Sequence, residues 1–216
     1  MTRIVELRQS VFADNDADAD RLRSELSAKG TTLINIMSSP GSGKTTLLLA
    51  LIPRLREKVR LGVMEADIDS AVDADAIRAA GADAVQLHTG GMCHLDADMT
   101  RQGIDALGGE YELIFLENIG NLVCPAEFDT GAHLNITILS VPEGDDKPLK
   151  YPLMYEKCDL LIVSKTDVQQ YFDFSIEKLT QNAKMRNPNI AILPVSAKTG
   201  AGMDELAECI IKTVLK

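Results

Sequence analysis

The sequence contains no run of lysine or arginine, and its acidic residues outnumber its basic ones by 32 to 22, giving a net charge of −10. Gripping nucleic acid takes a basic face that displaces the counterions of the phosphates, so the composition argues against that class of partner. It argues equally against an anionic membrane surface. No apolar stretch approaches the roughly twenty residues of a membrane span, and the opening "MTRIVELRQS" has no apolar core of secretory-signal length. The expectation is a cytoplasmic protein with neither nucleic acid nor membrane as partner. Cysteine is scarce (Cys93, Cys124, Cys158 and Cys209) and histidine scarcer, with three residues. In a reducing compartment such cysteines serve packing, catalysis or metal rather than disulfides. Internal repeats are absent.

What is present reads as one α/β domain. The 216 residues are 45% hydrophobic and 25% charged, enough for a full core. Apolar runs of strand length occur at 31–38, 59–66, 83–88, 111–118, 134–141, 159–164 and 190–195. Helical patterns lie between and around them, at 45–58, 73–80, 95–107, 173–186 and 203–215. Because the strand runs are continuous rather than alternating, both faces of the sheet are buried. The expected fold is a three-layer α/β sandwich, a mostly parallel sheet of about seven strands flanked by helices. A further helix over 14–29, opened by Asp residues that suit a helix N-terminus and closed by Gly30, carries Leu22 and Leu26 on one face. Residues 1–30 are read as an N-terminal helical extension and 31–216 as the α/β domain.

The first full strand runs straight into "SSPGSGKTT" (38–46) and then a helix. In this context a glycine-rich turn lets backbone N–H groups wrap a phosphate, and the helix N-terminus adds its positive end. Pro40, Gly41, Ser42, Gly43, Lys44, Thr45 and Thr46 are therefore the expected phosphate loop. Lys44 would reach the β and γ phosphates, and the Thr45 hydroxyl would hold Mg²⁺. Ser38 stands where the general pattern has glycine. Glu117 closes the run "LIFLEN" and is placed near the Mg²⁺; Gly120, three residues on, resembles the switch glycine whose N–H senses the γ-phosphate. Asp67 is a second candidate near the ion, with a solvated loop carboxylate as the alternative.

The base is indicated by "SKTD" (164–167), again straight after an apolar run. It resembles the Asn-Lys-x-Asp of GTPases, in which the carboxylate accepts from guanine N1–H and the 2-amino group. Lys165 and Asp167 are retained, while Ser164 replaces the usual Asn. The stretch "SAKTG" resembles the second base-contact loop of such enzymes, through Ser196, Ala197 and Lys198.

Two loops leave the same sheet edge as the phosphate loop: "TGGMCHLDA" (89–97) and "NIGNLVCPA" (118–126). Together Cys93, His94 and Cys124 form a soft sulfur and nitrogen donor set that suits Ni²⁺ or Zn²⁺ better than Mg²⁺ or Ca²⁺. Three donors leave a position open, or ask a second subunit to complete the site. A small buried cysteine beside a surface histidine is the plain alternative. His88 and His133, at strand ends, are assigned to packing, as are Cys158 and Cys209. The segment "EGDDKPLKYP" (143–152) reads as a rigid exposed loop near the nucleotide or a dimer partner.

Taken in order, "SSPGSGKTT", "TGGMCHLDA", "ENIGNLVCPA" and "VPEGDDKPLKYP" resemble the nickel-insertion GTPases of hydrogenase maturation, the HypB family of the SIMIBI class of P-loop proteins. The resemblance runs from about residue 31 to the C-terminus, which it makes a P-loop NTPase domain with metal-binding loops, and implies GTP hydrolysis, slowed by the departures below. It further implies a homodimer promoted by GTP, with Cys93, His94 and Cys124 at its interface, and nickel passed on during assembly of a [NiFe] hydrogenase. The recipient would be the hydrogenase large subunit or a second nickel-maturation protein. Asp67 and Asp73 match acids of the family. Departures from its pattern are Ala66 before Asp67, Ser70 and Ala71 where a threonine is usual, Ser164, and residues 1–30, which contain no His or Cys. Alternatives are an accessory role for another nickel enzyme such as urease, a phosphotransferase using Cys93 as nucleophile, or a nucleotide switch without metal.

Overall fold

The computed structural model describes residues 4–6, 15–67 and 72–215; the side chains of residues 4–6, 67, 72 and 73 fall outside that description. Eight strands form one sheet: β1 (Ile4–Glu6), β2 (Thr32–Ser38), β3 (Leu61–Asp67), β4 (Asp83–His88), β5 (Leu113–Gly120), β6 (Leu134–Ser140), β7 (Leu160–Ser164) and β8 (Ala191–Pro194). Their order is β1-β4-β3-β5-β2-β6-β7-β8, and every pair is parallel. The seven strands expected from apolar runs are all present. The eighth, β1, is three residues long and has no apolar run to announce it; it adds to the edge of β4.

The helices fall in two layers. Residues of α2 (Lys44–Leu55), α3 (Val72–Ala79) and α9 (Met203–Val214) share one apolar cluster with Ile34, Ile36 and Phe115 of the sheet. On the other face, α1 (Asn15–Ala28) and α4 (Ala97–Leu107) pack with Leu33 and Leu116. Farther along that face α7 (Pro152–Glu156) and α8 (Ile176–Arg186) pack with Met37 and Leu161. Consecutive residues of β2 thus feed opposite layers, as the two-residue period of a strand requires. Among the described residues no helix is long and apolar enough to cross a membrane.

Growth of the sheet reverses around β2. The chain lays β3, β4 and β5 on one side of it and β6, β7 and β8 on the other. That reversal opens a crevice at the strands' carboxyl ends, where parallel α/β sheets bind ligands.

Two sequence expectations need correction. The stretch after β6 is not an extended loop. It folds as a 3-10 turn (Val141–Glu143) and two short helices, α6 (Lys147–Lys150) and α7, because Pro148, Met154 and Tyr155 find burial there. Lys147 and Lys150 are occupied locally: Lys147 lies 5.5 Å over the Tyr151 ring and Lys150 pairs with Asp146 at 2.6 Å. Cys209 is exposed rather than packed, since the buried stripe of α9 passes through Met203, Leu206, Ala207 and Ile210.

The start of α4 is pinned twice. Asp96, 5% exposed, accepts a hydrogen bond from the Met99 N–H at 2.8 Å and so caps the helix. Asn15 of α1 accepts from the Ala97 N–H at 3.0 Å and donates to the Asp129 carbonyl at 3.0 Å. Arg23 adds a two-pronged bond to the Asp129 carboxylate at 2.8 and 2.7 Å. The N-terminal helix therefore ties together the trailing ends of both thiol-bearing loops. Replacing Asp96 with Ala should cost about 1–2 kcal/mol, the usual value of a helix cap. Urea unfolding is the check: the midpoint should fall for Asp96→Ala with an unchanged slope, and Asp96→Asn should recover most of the loss.

Candidate functional site

The phosphate loop carries β2 into α2. Gly43, at φ 101°, precedes the helix, and Lys165 packs against it so closely that a side chain at 43 would touch Lys165 Cε. Ser38, fully buried, uses its hydroxyl as a knot: it accepts from Ser42 Oγ at 2.6 Å and Lys44 Nζ at 3.1 Å, and donates to the Ser39 carbonyl at 2.8 Å. The residue that departs from the usual glycine thus braces the loop.

Thr45 Oγ1 donates to Glu117 Oε1 at 3.0 Å, so the hydroxyl and carboxylate expected to hold Mg²⁺ meet. Both are hard oxygen donors, as that ion demands. They line a cavity of about 600 Å³ with Pro40, Gly41, Gly43, Lys44, Thr46, Gly120 and Lys165. Gly120 abuts the loop itself: a Cβ there would sit 3.1 Å from Pro40 Cα, closer than side chains comfortably approach backbone.

Two further residues of this cavity went unread in the sequence, Glu65 and Gln86. They are aligned in register across the sheet, Gln86 beside Glu65 and Glu65 beside Glu117. Each interrupts an otherwise apolar strand run, "VMEA" and "AVQLH", and a buried polar residue inside such a run was the available signal. Gln86 Nε2 donates to the Glu65 carbonyl at 3.0 Å.

An adjoining cavity of about 290 Å³ shares Gly43, Thr46 and Lys165 and continues to Ser164, Asp167, Ala197 and Lys198. Lys165 adopts a left-handed backbone (φ 59°, ψ 39°), alone among described residues other than glycine. Such a conformation costs a non-glycine residue about 1 kcal/mol or more. Here it aims the ammonium at the phosphate loop, where Nζ donates to the Gly41 carbonyl at 2.7 Å. Ser164, in place of asparagine, makes its own tie to that loop, donating to the Ser42 carbonyl at 2.7 Å. Ser196 donates to Asp167 Oδ1 at 2.7 Å and so fixes the carboxylate, while its oxygen receives the Thr199 N–H at 3.2 Å.

Of the remaining predicted acids, Asp67 ends β3 and Asp73 is the second residue of α3. Their side chains, and all of Ser70 and Ala71, lie outside the described residues.

The thiol loops come together only in part. Cys124 faces Cys93, whose thiol, with burial, raises the Cys124 pKa above the ordinary thiol value. His94 stands beside the pair, with Nδ1 4.0 Å from Cys93 Sγ and its ring stacked on Phe128 (3.7 Å between centroids, 7° between planes). Burial lowers its pKa and favours the neutral imidazole that ligates metals. Asn121 Nδ2 approaches Cys124 Sγ at 3.6 Å. Among the described residues no three His, Cys, Asp or Glu side chains are gathered closely enough to hold an ion. His133 serves packing, its Nε2 2.9 Å from Ser27 Oγ and its Nδ1 accepting from the Leu33 N–H at 3.0 Å. Cys158 is buried beside Met154.

The CobW/HypB/UreG nucleotide-binding domain matches residues 32–194. The hydrogenase maturation factor HypB of Azotobacter chroococcum is 45% identical, over 94% of this chain and 67% of its own. A relative from Helicobacter hepaticus, named hydrogenase/urease maturation factor HypB, is 41% identical over 90% of this chain and 81% of its own. The crystal structure of Helicobacter pylori HypB, determined in complex with nickel, superposes with a TM-score of 0.88 at 35% identity, covering 94% of this chain and 96% of that one. This chain belongs to the CobW/HypB/UreG nucleotide-binding family and, within it, to the HypB hydrogenase maturation factors.

Proposed function

We propose that the protein binds and slowly hydrolyses GTP, and that its nucleotide state governs a nickel site shared across a homodimer, from which the metal is delivered during [NiFe] hydrogenase assembly. One observation carries the reading. Strand β5 ends inside the nucleotide cavity with Glu117 and Gly120, and the same chain reaches Cys124, in contact with Cys93, within one short turn. Any shift of β5's end toward a γ-phosphate displaces a metal donor.

In this reading Lys44 leaves Ser38 for the β and γ phosphates, and the loop's N–H groups cradle them. Thr45 and Glu117 hold Mg²⁺, which would neutralise charge developing on the phosphates; Asp67 and Asp73 are assigned to the same region by family likeness. Gly120 offers its N–H to the γ-phosphate. Asp167, oriented by Ser196, accepts from guanine, with Lys165 beside the base and Ala197 and Lys198 closing the pocket.

Cys93, His94 and Cys124 are the proposed ligands of the cargo metal. One subunit gathers too few donors for a closed site, which favours completion by a second copy. Val123, beside Cys124 in the loop, is an exposed apolar residue, 49% accessible, and supports a contact face there. Zn²⁺ suits the same donors. The recipient is the hydrogenase large subunit or a second nickel-maturation protein. The double name of the Helicobacter hepaticus relative favours urease as a second client.

Two outcomes follow. Asp167→Asn should weaken GTP binding on the order of a hundredfold, because two hydrogen bonds to a charged acceptor are lost, and should admit xanthosine triphosphate, whose 2-oxo group accepts from an amide. Competition against a fluorescent nucleotide reads both; unchanged guanine preference would remove Asp167 from the base site. Titration of Ni²⁺ with sedimentation should give about one tightly held ion per dimer in the GTP analogue, as sharing at a two-fold axis implies. Cys93→Ala and Cys124→Ala should each abolish it, whereas binding indifferent to both cysteines would sink the metal assignment.

A further inference from the structure

Three asparagines form a hydrogen-bonded ladder through the sheet, on the face away from α2. Asn118 of β5 is fully buried and Asn35 of β2 is 1% exposed. Asn118 Nδ2 donates to Asn35 Oδ1 at 3.1 Å, and Asn35 Nδ2 donates to Asn135 Oδ1 of β6 at 3.0 Å. The ladder lies between the apolar cluster containing Leu33 and the one containing Met37. Apolar side chains would fill that space without the cost of burying two amides and half-burying a third, so packing alone gives no reason for it.

Its two ends give one. At the first end the Ile119 N–H donates to Asn118 Oδ1 at 2.9 Å. That bond commits the oxygen, so the amide must turn its nitrogen toward Asn35, and Asn35 must pass a donor on to Asn135. The polarity of the whole ladder is set by a backbone N–H lying between Glu117 and Gly120. At the second end Asn135 lines a cavity of about 220 Å³, walled also by Pro125, Glu127, Phe128 and Asp129, the segment that follows Cys124. Phe128 is the ring on which His94 stacks.

We infer that Asn118, Asn35 and Asn135 are positioning residues that couple the nucleotide switch to the floor of the metal loop. This rests on the nucleotide-gated metal reading and names the route of its regulation. A ladder of amides has two arrangements that keep both of its amide–amide bonds. With the Ile119 N–H engaged, Asn135 Oδ1 is held by Asn35 and its nitrogen is left for the cavity. When a rotation of residues 118–120 withdraws that N–H, the amides can turn over together, and Asn135 then presents its oxygen to the same cavity. A donor is exchanged for an acceptor beneath Glu127, Phe128 and Asp129. Such a discrete two-state element is what coupling between sites requires.

The test is the rate of Ni²⁺ release to a chromophoric chelator, with protein loaded with GDP or with a non-hydrolysable GTP analogue. Wild type is compared with Asn135→Leu, at the half-buried end, and Asn35→Ser, with thermal melts alongside. The wild-type rates should differ between nucleotides. Both variants should bind nucleotide and Ni²⁺ yet bring the ratio of rates at least about threefold closer to one, the lower range of effects along a coupling route. Variants that melt earlier but keep the wild-type ratio would overturn the ladder and leave the gate standing. Equal rates in the wild type itself would overturn gate and ladder together. Should Asn35→Ser not fold, Asn135→Leu decides.

Discussion

The close approach of Gly120 to Pro40 is the contact on which the rest of the site depends. It sets the end of β5 against the phosphate loop so tightly that a Cβ at 120 would lie 3.1 Å from Pro40 Cα and force Pro40 to give way. Three things meet at that one proximity: Glu117 reaches Thr45, Gly120 lines the cavity beside the phosphate loop, and the chain beyond it begins the loop of Cys124. A bulkier residue at 120 would push β5 from β2 at the point where their register already shifts, between Ile36 and Ser38.

Around that contact the molecule divides stiff parts from responsive ones. The phosphate loop is braced by Ser38, Ser164 and Lys165, all bonded to its own groups, so it can receive a nucleotide with little reorganisation. The thiol loops are anchored at their trailing ends by Asp96, Asn15 and Arg23. Between anchors and phosphate loop lie residues 118–124, bonded largely to themselves through Asn118 and Asn121. Asn118 also ties this segment to the sheet through the amide ladder.

Much of this was legible in the sequence, for physical reasons that differ by element. Seven strands were readable because parallel strands buried on both faces have continuous apolar runs, and the phosphate and base loops because their chemistry permits few residue types. β1 was not, since three residues at a sheet edge need only backbone pairing. Residues 143–152 read as an exposed loop because their charges and prolines mask a 3-10 turn and a short helix with a buried Pro148. Cys209 sits one position beyond the buried stripe of α9, a difference of phase that composition does not reveal. The polar residues inside strand runs, Glu65, Gln86, Asn35 and Asn118, carried a signal in their very placement. What each touches depends on register across the sheet, which no single strand contains.

If nucleotide and metal act on one equilibrium, as proposed, linkage makes this directly measurable. A factor by which GTP rather than GDP alters the affinity for Ni²⁺ is the factor by which Ni²⁺ alters the preference for GTP over GDP. The measurement is the affinity of a GTP analogue and of GDP by calorimetry, with and without saturating Ni²⁺. A preference ratio that changes on adding metal by about fivefold or more is expected, the low end of ordinary coupling between sites. A ratio indifferent to Ni²⁺ would contradict the proposal, and would mean that β5 carries a nucleotide site and a metal loop that do not communicate.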